Sequence, residues 1–129
     1  MQVSCKDRAT GAVTRIERAQ LRYGDTSASG LEVRQGDAPY QSIALSEVTR
    51  VTLASGNADP NGRVKGVITL VRPALNIDVL LRVRRDGGVL KVAGFIPNDF
   101  PAVVEFVLCK EIMVWSAVPE AVRDAAPKK

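Results

Sequence analysis

Apolar and polar residues alternate along much of this chain, most regularly between residues 63 and 109. Three segments of that stretch are predicted strands: residues 63–72, 77–85 and 89–96. Residues 77–85 show the period of two that is typical of a strand with one buried face, whereas residues 89–96 are apolar on both faces apart from Lys91, which predicts a central strand covered by a helix. The segment from about residue 98 to 110 carries a wide apolar stripe after Asn98 and Asp99, which can cap a helix. The pattern therefore predicts a strand-rich core followed by one buried C-terminal helix.

The rest of the chain predicts how this core is extended. Alternation also marks residues 18–23 and 40–45, and runs rich in Gly, Asp, Ser and Asn separate the predicted strands. We expect one domain over residues 1–118 and a flexible tail over residues 119–129. The predicted fold class is mainly β (α+β), an antiparallel barrel-like or split-barrel sheet of six to eight strands closed by the helix.

Composition argues against an enzyme. The 129 residues include no histidine, which removes the commonest general base and the usual partner of a nucleophilic serine or cysteine. Most catalytic zinc sites also depend on histidine. We therefore expect a binding or interaction protein with no metal and no cofactor.

The first residues and the two cysteines indicate a compartment. The chain starts Met-Gln-Val-Ser-Cys-Lys-Asp, without the apolar segment of a signal peptide, and contains no apolar run of roughly 18 residues. Cytoplasmic residence is the expectation. Cys5 and Cys109 have no metal-like spacing, so we expect two reduced thiols with Cys109 buried, and a disulfide between them is the alternative.

The net charge of +4 makes the surface mildly basic. Seven basic residues fall on or beside the predicted strands: Arg63, Lys65, Arg72, Arg82, Arg84, Arg85 and Lys91. Aligned on one face they would bind phosphates of a lipid, nucleotide or nucleic acid, whereas scattered over outward positions they would only discourage aggregation of strand edges. Nucleic acid is not expected, because aromatic residues that could stack on bases make up only 5% of the chain.

One turn has the residue types of a nucleotide site. Residues 25–31 read Asp-Thr-Ser-Ala-Ser-Gly-Leu and join two predicted strands. This D-x-S-x-x-G order resembles PilZ domains, the bacterial receptors for cyclic di-GMP, and implies that Asp25, Ser27 and Gly30 contact the ligand. Two arginine pairs would complete such a site: Arg18 with Arg22, and Arg84 with Arg85. Arg18 and Arg22 stand directly before the turn, whereas the PilZ arginine pair lies further upstream, and an ordinary turn explains the same residues.

A second resemblance concerns the fold alone. Residues 43–51 read Ile-Ala-Leu-Ser-Glu-Val-Thr-Arg-Val, and this spacing of apolar residues resembles bacterial pleckstrin-homology-like domains. In that family a split barrel of bent strands is plugged by a C-terminal helix. The resemblance implies the barrel-like fold and no particular ligand.

A last apolar segment bears on partners. Met113, Val114 and Trp115 either pack against the sheet or, outside the core, form an interface patch. We predict a non-enzymatic interaction module that binds a partner protein or a second copy of itself. The alternatives are a PilZ-type cyclic di-GMP receptor, intact or degenerate, and a module that binds phosphate-bearing surfaces of nucleic acid or an anionic membrane.

Overall fold

The computed structural model describes residues 1–85 and 88–115, and these form β structure almost throughout. The strands are β1 (Gln2–Asp7), β2 (Val13–Tyr23), β3 (Thr26–Ser27), β4 (Leu31–Arg34), β5 (Gln41–Ile43), β6 (Val48–Leu53), β7 (Arg63–Leu70), β8 (Asn76–Arg82), β9 (Arg84–Arg85), β10 (Gly88–Ile96), β11 (Phe100–Glu105) and β12 (Cys109–Trp115). Two 3₁₀ turns, Leu45–Glu47 and Phe106–Leu108, are the only helical segments in these ranges. Neither is long or apolar enough to cross a membrane. The predicted tail, residues 119–129, lies outside the described residues.

The strands form one antiparallel sheet that curves into a half-barrel. Their order across the sheet is β11, β10, β2, β1, β12, β6, β7, β8, β4, β5, while β3 pairs with β2 and β9 with β10. Buried side chains such as Ile16, Leu81 and Ile112 alternate with exposed ones and form a single hydrophobic core. The sheet has two edges, β11 and β5.

The prediction of an antiparallel, mainly β domain is confirmed, but the closing C-terminal helix and the count of six to eight strands are wrong. Asn98 and Asp99 have left-handed φ values of 75° and 62°, so they form a tight turn and do not cap a helix. The chain then runs back along β10 as strand β11, with Phe100 opposite Ile96. The apolar stripe of residues 98–110 therefore belongs to an edge strand and a 3₁₀ turn.

The sheet is built from two copies of one strand pattern. Apart from the two-residue strands β3 and β9, which pair differently, residues 1–53 form β1, β2, β4, β5, a 3₁₀ turn and β6, and residues 63–115 form β7, β8, β10, β11, a 3₁₀ turn and β12. The two halves exchange strands reciprocally: β4 pairs with β8 as β10 pairs with β2, and β6 pairs with β7 as β12 pairs with β1. The fold is thus an internal duplication with approximate two-fold symmetry.

The pairing of β6 with β12 marks the two-fold axis. These two strands are counterparts, and Val51 lies opposite its own counterpart, Ile112. The pairs on either side are Arg50 with Met113 and Thr52 with Glu111, so the register reads the same from both strands. Both central side chains are buried. The middle of the sheet is therefore the contact between the two halves.

Matching hydrogen bonds outside the strands support the same symmetry. The Val71 N–H donates to the Glu47 carbonyl at 2.9 Å. At the corresponding place in the other half, the Arg8 N–H donates to the Leu108 carbonyl at 2.8 Å. The duplication therefore includes the connections that follow β1 and β7.

Cys5 and Cys109 form a disulfide, with Cα atoms 5.3 Å apart, so the prediction of reduced cysteines is wrong. They meet because β1 and β12 are neighbours in the sheet although the cysteines are 104 residues apart in sequence. The strand registers identify their counterparts in the other half as Ile68 and Val48, which are both buried. The disulfide therefore joins the first and last strands, β1 and β12, whereas the symmetry-related strands β7 and β6 have apolar packing at the equivalent place.

We predict that this disulfide is a main source of stability. In the chain-entropy model, closing a loop of about 100 residues stabilises the fold by about 4.7 kcal/mol. Reductant should therefore lower the urea concentration at which half of the wild-type protein is unfolded, because the reduced protein loses this stabilisation. The variant C5I/C109V carries the residue types of the equivalent positions, Ile68 and Val48. It should unfold at a lower urea concentration than the oxidised wild-type protein. Its unfolding midpoint should not change when reductant is added. An unchanged wild-type midpoint in reductant would contradict the prediction.

Phe106 provides a second test of the core. Its side chain is 0% exposed, whereas Leu108, in the same 3₁₀ turn, is 52% exposed. Phe106→Ala should therefore lower the free energy of unfolding by about 3–5 kcal/mol. Leu108→Ala should change it by no more than about 0.5 kcal/mol. Urea unfolding of the two variants measures the difference, and equal effects would show that the turn is not anchored by Phe106.

Candidate functional site

A groove of about 510 Å³ lies on the outer face of β2, β10 and β11. We call it the edge groove, because β11 is an edge of the sheet. Its side chains combine positive charge with apolar surface: Arg18, Gln20, Arg22, Ala93, Phe95, Pro101, Ala102 and Val103 line it together with Gly94. This mixture suits a partner that carries both apolar and acidic groups.

A β-bulge sets the position of Arg18. On β10, Ala93 and Phe95 are two residues apart, but their partners on β2, Gln20 and Glu17, are three apart. The extra residue is taken up around Arg18, whose φ is 53°. Its guanidinium lies 4.2 Å from the centre of the Phe95 ring, an attractive cation–π distance. The bulge therefore directs one cation over the aromatic floor of the groove.

Arg18 also pairs with Asp99 at the end of the groove. Arg18 Nη2 lies 2.6 Å from Asp99 Oδ1, and both side chains are well exposed. An exposed ion pair of this kind is worth roughly 0–1 kcal/mol, so it does not commit Arg18 to a structural role. The guanidinium remains accessible to an acidic group of a partner.

Arg22 provides the other cation of the groove. It lies directly opposite Lys91 on the neighbouring strand, and both face outward because Leu21 and Val92 face the core. Like charges in opposite positions destabilise a sheet. Arg22 Nε is also buried without a hydrogen-bond partner in the described structure. Glu105 on β11 lies opposite Lys91 and brings one negative charge to this row, and a further negative group beside Arg22 would be stabilising.

The β11 edge beside the groove exposes apolar side chains. Phe100 is 61% exposed and Val103 is 58% exposed. The strand registers make Val103 the counterpart of Ser42 on β5, the other edge of the sheet. There Gln41 and Ser42 are the exposed residues. The same place in the duplicated fold is therefore apolar on one edge and polar on the other.

The structure does not bring the predicted ligand-binding residues together at one place. Arg18 and Arg22 lie together in the edge groove, whereas Asp25 is exposed in the turn after β2. Ser27 lines a separate cavity of about 370 Å³ beside the first 3₁₀ turn. At Gly30 a Cβ atom would lie 2.6 Å from the Ile43 carbonyl oxygen, so close packing of β4 on β5 accounts for this glycine.

Arg84 and Arg85 also lie away from the edge groove. The Arg84 guanidinium donates to the Pro60 carbonyl at 3.0 Å. Arg85 pairs with Glu32 and lies 4.4 Å from the centre of the Tyr23 ring. Both arginines are therefore engaged with neighbouring groups of the same chain.

Glu32 is the centre of a tyrosine–arginine cluster. Arg82 lies 2.9 Å from Glu32, and its guanidinium stacks 4.2 Å from the centre of the Tyr40 ring. The Tyr23 hydroxyl donates to the Arg82 carbonyl at 2.7 Å. Burial, and secondly the charge of Glu32, raise the pKa of Tyr23 to about 12. Since Glu32 accepts from both Arg82 and Arg85, both guanidiniums are engaged within the fold, and the single negative charge of Glu32 balances one of the two positive charges.

The predicted interface residues are divided between the two faces of the sheet. Val114 is in the core, while Met113 and Trp115 point outward and Trp115 is 39% exposed. Met113 Sδ accepts a hydrogen bond from Arg50 Nε at 3.4 Å. Trp115 lies three strands away from Phe95 in one cross-strand row. The most exposed of the large apolar residues in the described part of the second half, Phe100 and Val103, are instead on β11.

Sequence reasoning missed the β11 edge because it placed residues 98–110 in a buried helix. A signal for the duplication was present: the apolar spacing of residues 43–53 repeats in residues 104–114. Aligning those segments would have shown that Val103 and Ser42 occupy equivalent positions in the two halves. In residues 1–85 and 88–115, no three His, Cys, Asp or Glu side chains gather as metal ligands.

No protein-family model, curated protein or solved structure matches this chain. The resemblances to PilZ and pleckstrin-homology-like domains therefore stay predictions.

We predict that Tyr23 makes stability depend on alkaline pH. Its pKa is about 12 in the folded protein and about 10 in the unfolded chain, so its contribution is complete below pH 10 and is lost as the pH rises towards 12. This difference corresponds to about 2–3 kcal/mol. Urea unfolding over this range should show a steeper loss for the wild type than for Tyr23→Phe. Parallel curves would contradict the assignment.

Proposed function

We propose that this chain is a non-enzymatic interaction module that binds an extended polypeptide along the β11 edge. The observation that carries the proposal is the difference between the two edges. Val103 and Ser42 occupy equivalent backbone positions, so the fold itself does not require an exposed apolar residue at either. An apolar side chain kept in water on only one of them is best explained by a partner that covers it.

The chemistry of the β11 edge favours a polypeptide over a small molecule. An edge strand has backbone N–H and C=O groups free to pair with an added strand, and Phe100 and Val103 offer side-chain contacts beside them. The edge groove adds Arg18 and the Arg22–Lys91 pair next to this backbone. A strand with alternating apolar and acidic residues would satisfy both features.

Anionic small ligands are the second candidate. Arg18 and Arg22 share the edge groove, which supports an anion there, but Asp25 and Ser27 do not line it. A PilZ-type receptor for cyclic di-GMP rests on the resemblance of residues 25–31. Calorimetric titration with cyclic di-GMP separates this candidate from the interaction module, for which no binding heat is expected. Binding to phosphate-bearing membranes or nucleic acid would instead weaken steeply with salt.

The disulfide bears on the compartment. Structural disulfides persist in oxidising surroundings and are rare in the cytoplasm. The Cys5–Cys109 bond is buried and joins the first and last strands. It supports function in an oxidising compartment in place of the cytoplasmic location expected from the N-terminal residues.

A displayed library of random peptides tests the proposed function. Selection on the wild-type protein should enrich β-prone peptides with apolar and acidic residues. Binding of these peptides should be lost in Val103→Lys, because lysine blocks strand addition at an edge. It should be kept in Ser42→Lys, which places the same charge at the equivalent position of β5.

The matched pair makes the result decisive. Peptides that bind both lysine variants alike would locate binding away from β11, and no enrichment over several rounds would contradict polypeptide binding. Thermal unfolding of both variants checks that each keeps its fold.

A further inference from the structure

We propose that the polypeptide that pairs with β11 is β11 of a second copy of this chain, giving a two-fold symmetric dimer with one continuous sheet. The inference rests on the proposed function and names its partner. It follows from the backbone groups, the side-chain order and the charges of the β11 edge. In each of these respects, β11 is complementary to a second copy of β11 that runs antiparallel to it.

Pro101 determines which backbone groups of β11 are free. Proline is accommodated in an edge strand when its nitrogen points away from the neighbouring strand. Because residues two apart in a strand point their N–H and C=O groups to the same side, Val103 and Glu105 also direct theirs away from β10. The free donors are therefore the N–H groups of Val103 and Glu105, and Pro101 adds a free carbonyl.

These groups are complementary to themselves in one antiparallel register. With Val103 on the two-fold axis, the two Val103 residues exchange two N–H···O=C bonds. Each Glu105 N–H then faces the Pro101 carbonyl of the second copy, and the missing N–H of Pro101 faces a carbonyl that water can satisfy. The position of the proline thus selects this register over its neighbours.

The side chains on the outer face fit the same register. Val103 packs against Val103 of the second copy and covers the exposed apolar surface at the axis. Glu105 comes opposite Pro101 of the second copy, which pairs in its own chain with Phe95. In the second copy, the Arg18 guanidinium lies over that Phe95 ring. This ring is two strands away from Glu105 of the first copy, and neighbouring strands are about 4.8 Å apart.

Charge therefore favours the pairing. Glu105 is exposed, lies opposite Lys91 on β10, and makes no salt bridge within residues 1–85 and 88–115. In the dimer it is drawn towards Arg18 of the second copy. The symmetric arrangement creates this attraction twice, once on each side of the axis.

The polar β5 edge explains why assembly stops at two. Gln41 and Ser42 occupy the positions that Ala102 and Val103 occupy on β11. If both edges were apolar, β11 of one copy could add to β5 of the next and build an open fibre. With one apolar edge, only the symmetric pairing buries apolar surface, and that pairing closes.

Sedimentation velocity of the oxidised protein at loading concentrations from about 1 to 200 µM, a range suited to weak interfaces, tests the dimer. The wild-type protein should pass from monomer to dimer across this range. Val103→Lys places two lysines together at the axis and should raise the dissociation constant at least about tenfold. Ser42→Lys, at the equivalent position of β5, should leave it within about twofold of the wild-type value.

A second variant guards against misfolding. Val103→Pro removes the N–H that points away from β10, so it should abolish the dimer while the β10–β11 pairing survives. Circular dichroism confirms the fold of each variant. Dimers that persist in both Val103 variants, or a wild-type protein that is monomeric throughout, would overturn the inference. If the wild type is monomeric yet edge-dependent peptides are selected from the library, the proposed function stands and only the second copy is wrong.

Discussion

The pairing of β6 with β12 is the interaction on which the rest of the sheet depends. These strands are counterparts, and they meet at the buried Val51–Ile112 pair. β1 adds to β12 and β7 adds to β6, and the remaining strands follow by exchange between the halves. Because each half supplies neighbours for the strands of the other, neither can complete its sheet alone. Removing the central pair would leave two incomplete sheets, and we therefore regard the chain as one cooperative unit.

A duplicated fold separates what the architecture requires from what it permits. At core positions the two halves agree in character: Leu45 corresponds to the fully buried Phe106, and Val51 to Ile112. Their shared burial explains those residues without a function. Edge positions are different, because the backbone is equivalent and solvent is available to both. A difference in residue type between equivalent edge positions therefore bears on function in a way that the exposure of one residue does not.

The sequence predicts most strands because the alternation of apolar and polar residues shows which face of a strand is buried. This local pattern can be recognised without knowing which strands pair with each other. It fails at residues 98–110, where the apolar spacing fits a helix and a strand equally well. The left-handed turn at Asn98 and Asp99 decides between them, together with pairing to β10. The disulfide depends on contact between β1 and β12, and local patterns do not encode such distant pairings. At the site, Arg18 and Arg22 line one groove, but their role in binding stays a prediction, and the helix wrongly predicted for residues 98–110 concealed the β11 edge.

The departures from symmetry gather on one side of the molecule. The bulge at Arg18 shifts the register of β2 on β10, whereas the described pairing of β4 with β8, its counterpart, has no such shift. The Cys5–Cys109 bond joins the next strands, β1 and β12, whereas the symmetry-related strands β7 and β6 have Ile68 and Val48 at these positions. Beside the bulge lies the apolar β11 edge. A bulge costs regular pairing, so it persists where it aims a side chain usefully, and here it places Arg18 over Phe95 beside the edge. The disulfide joins β1 of the first half to β12 of the second, so the two strands that follow β2 on this side of the sheet are linked covalently.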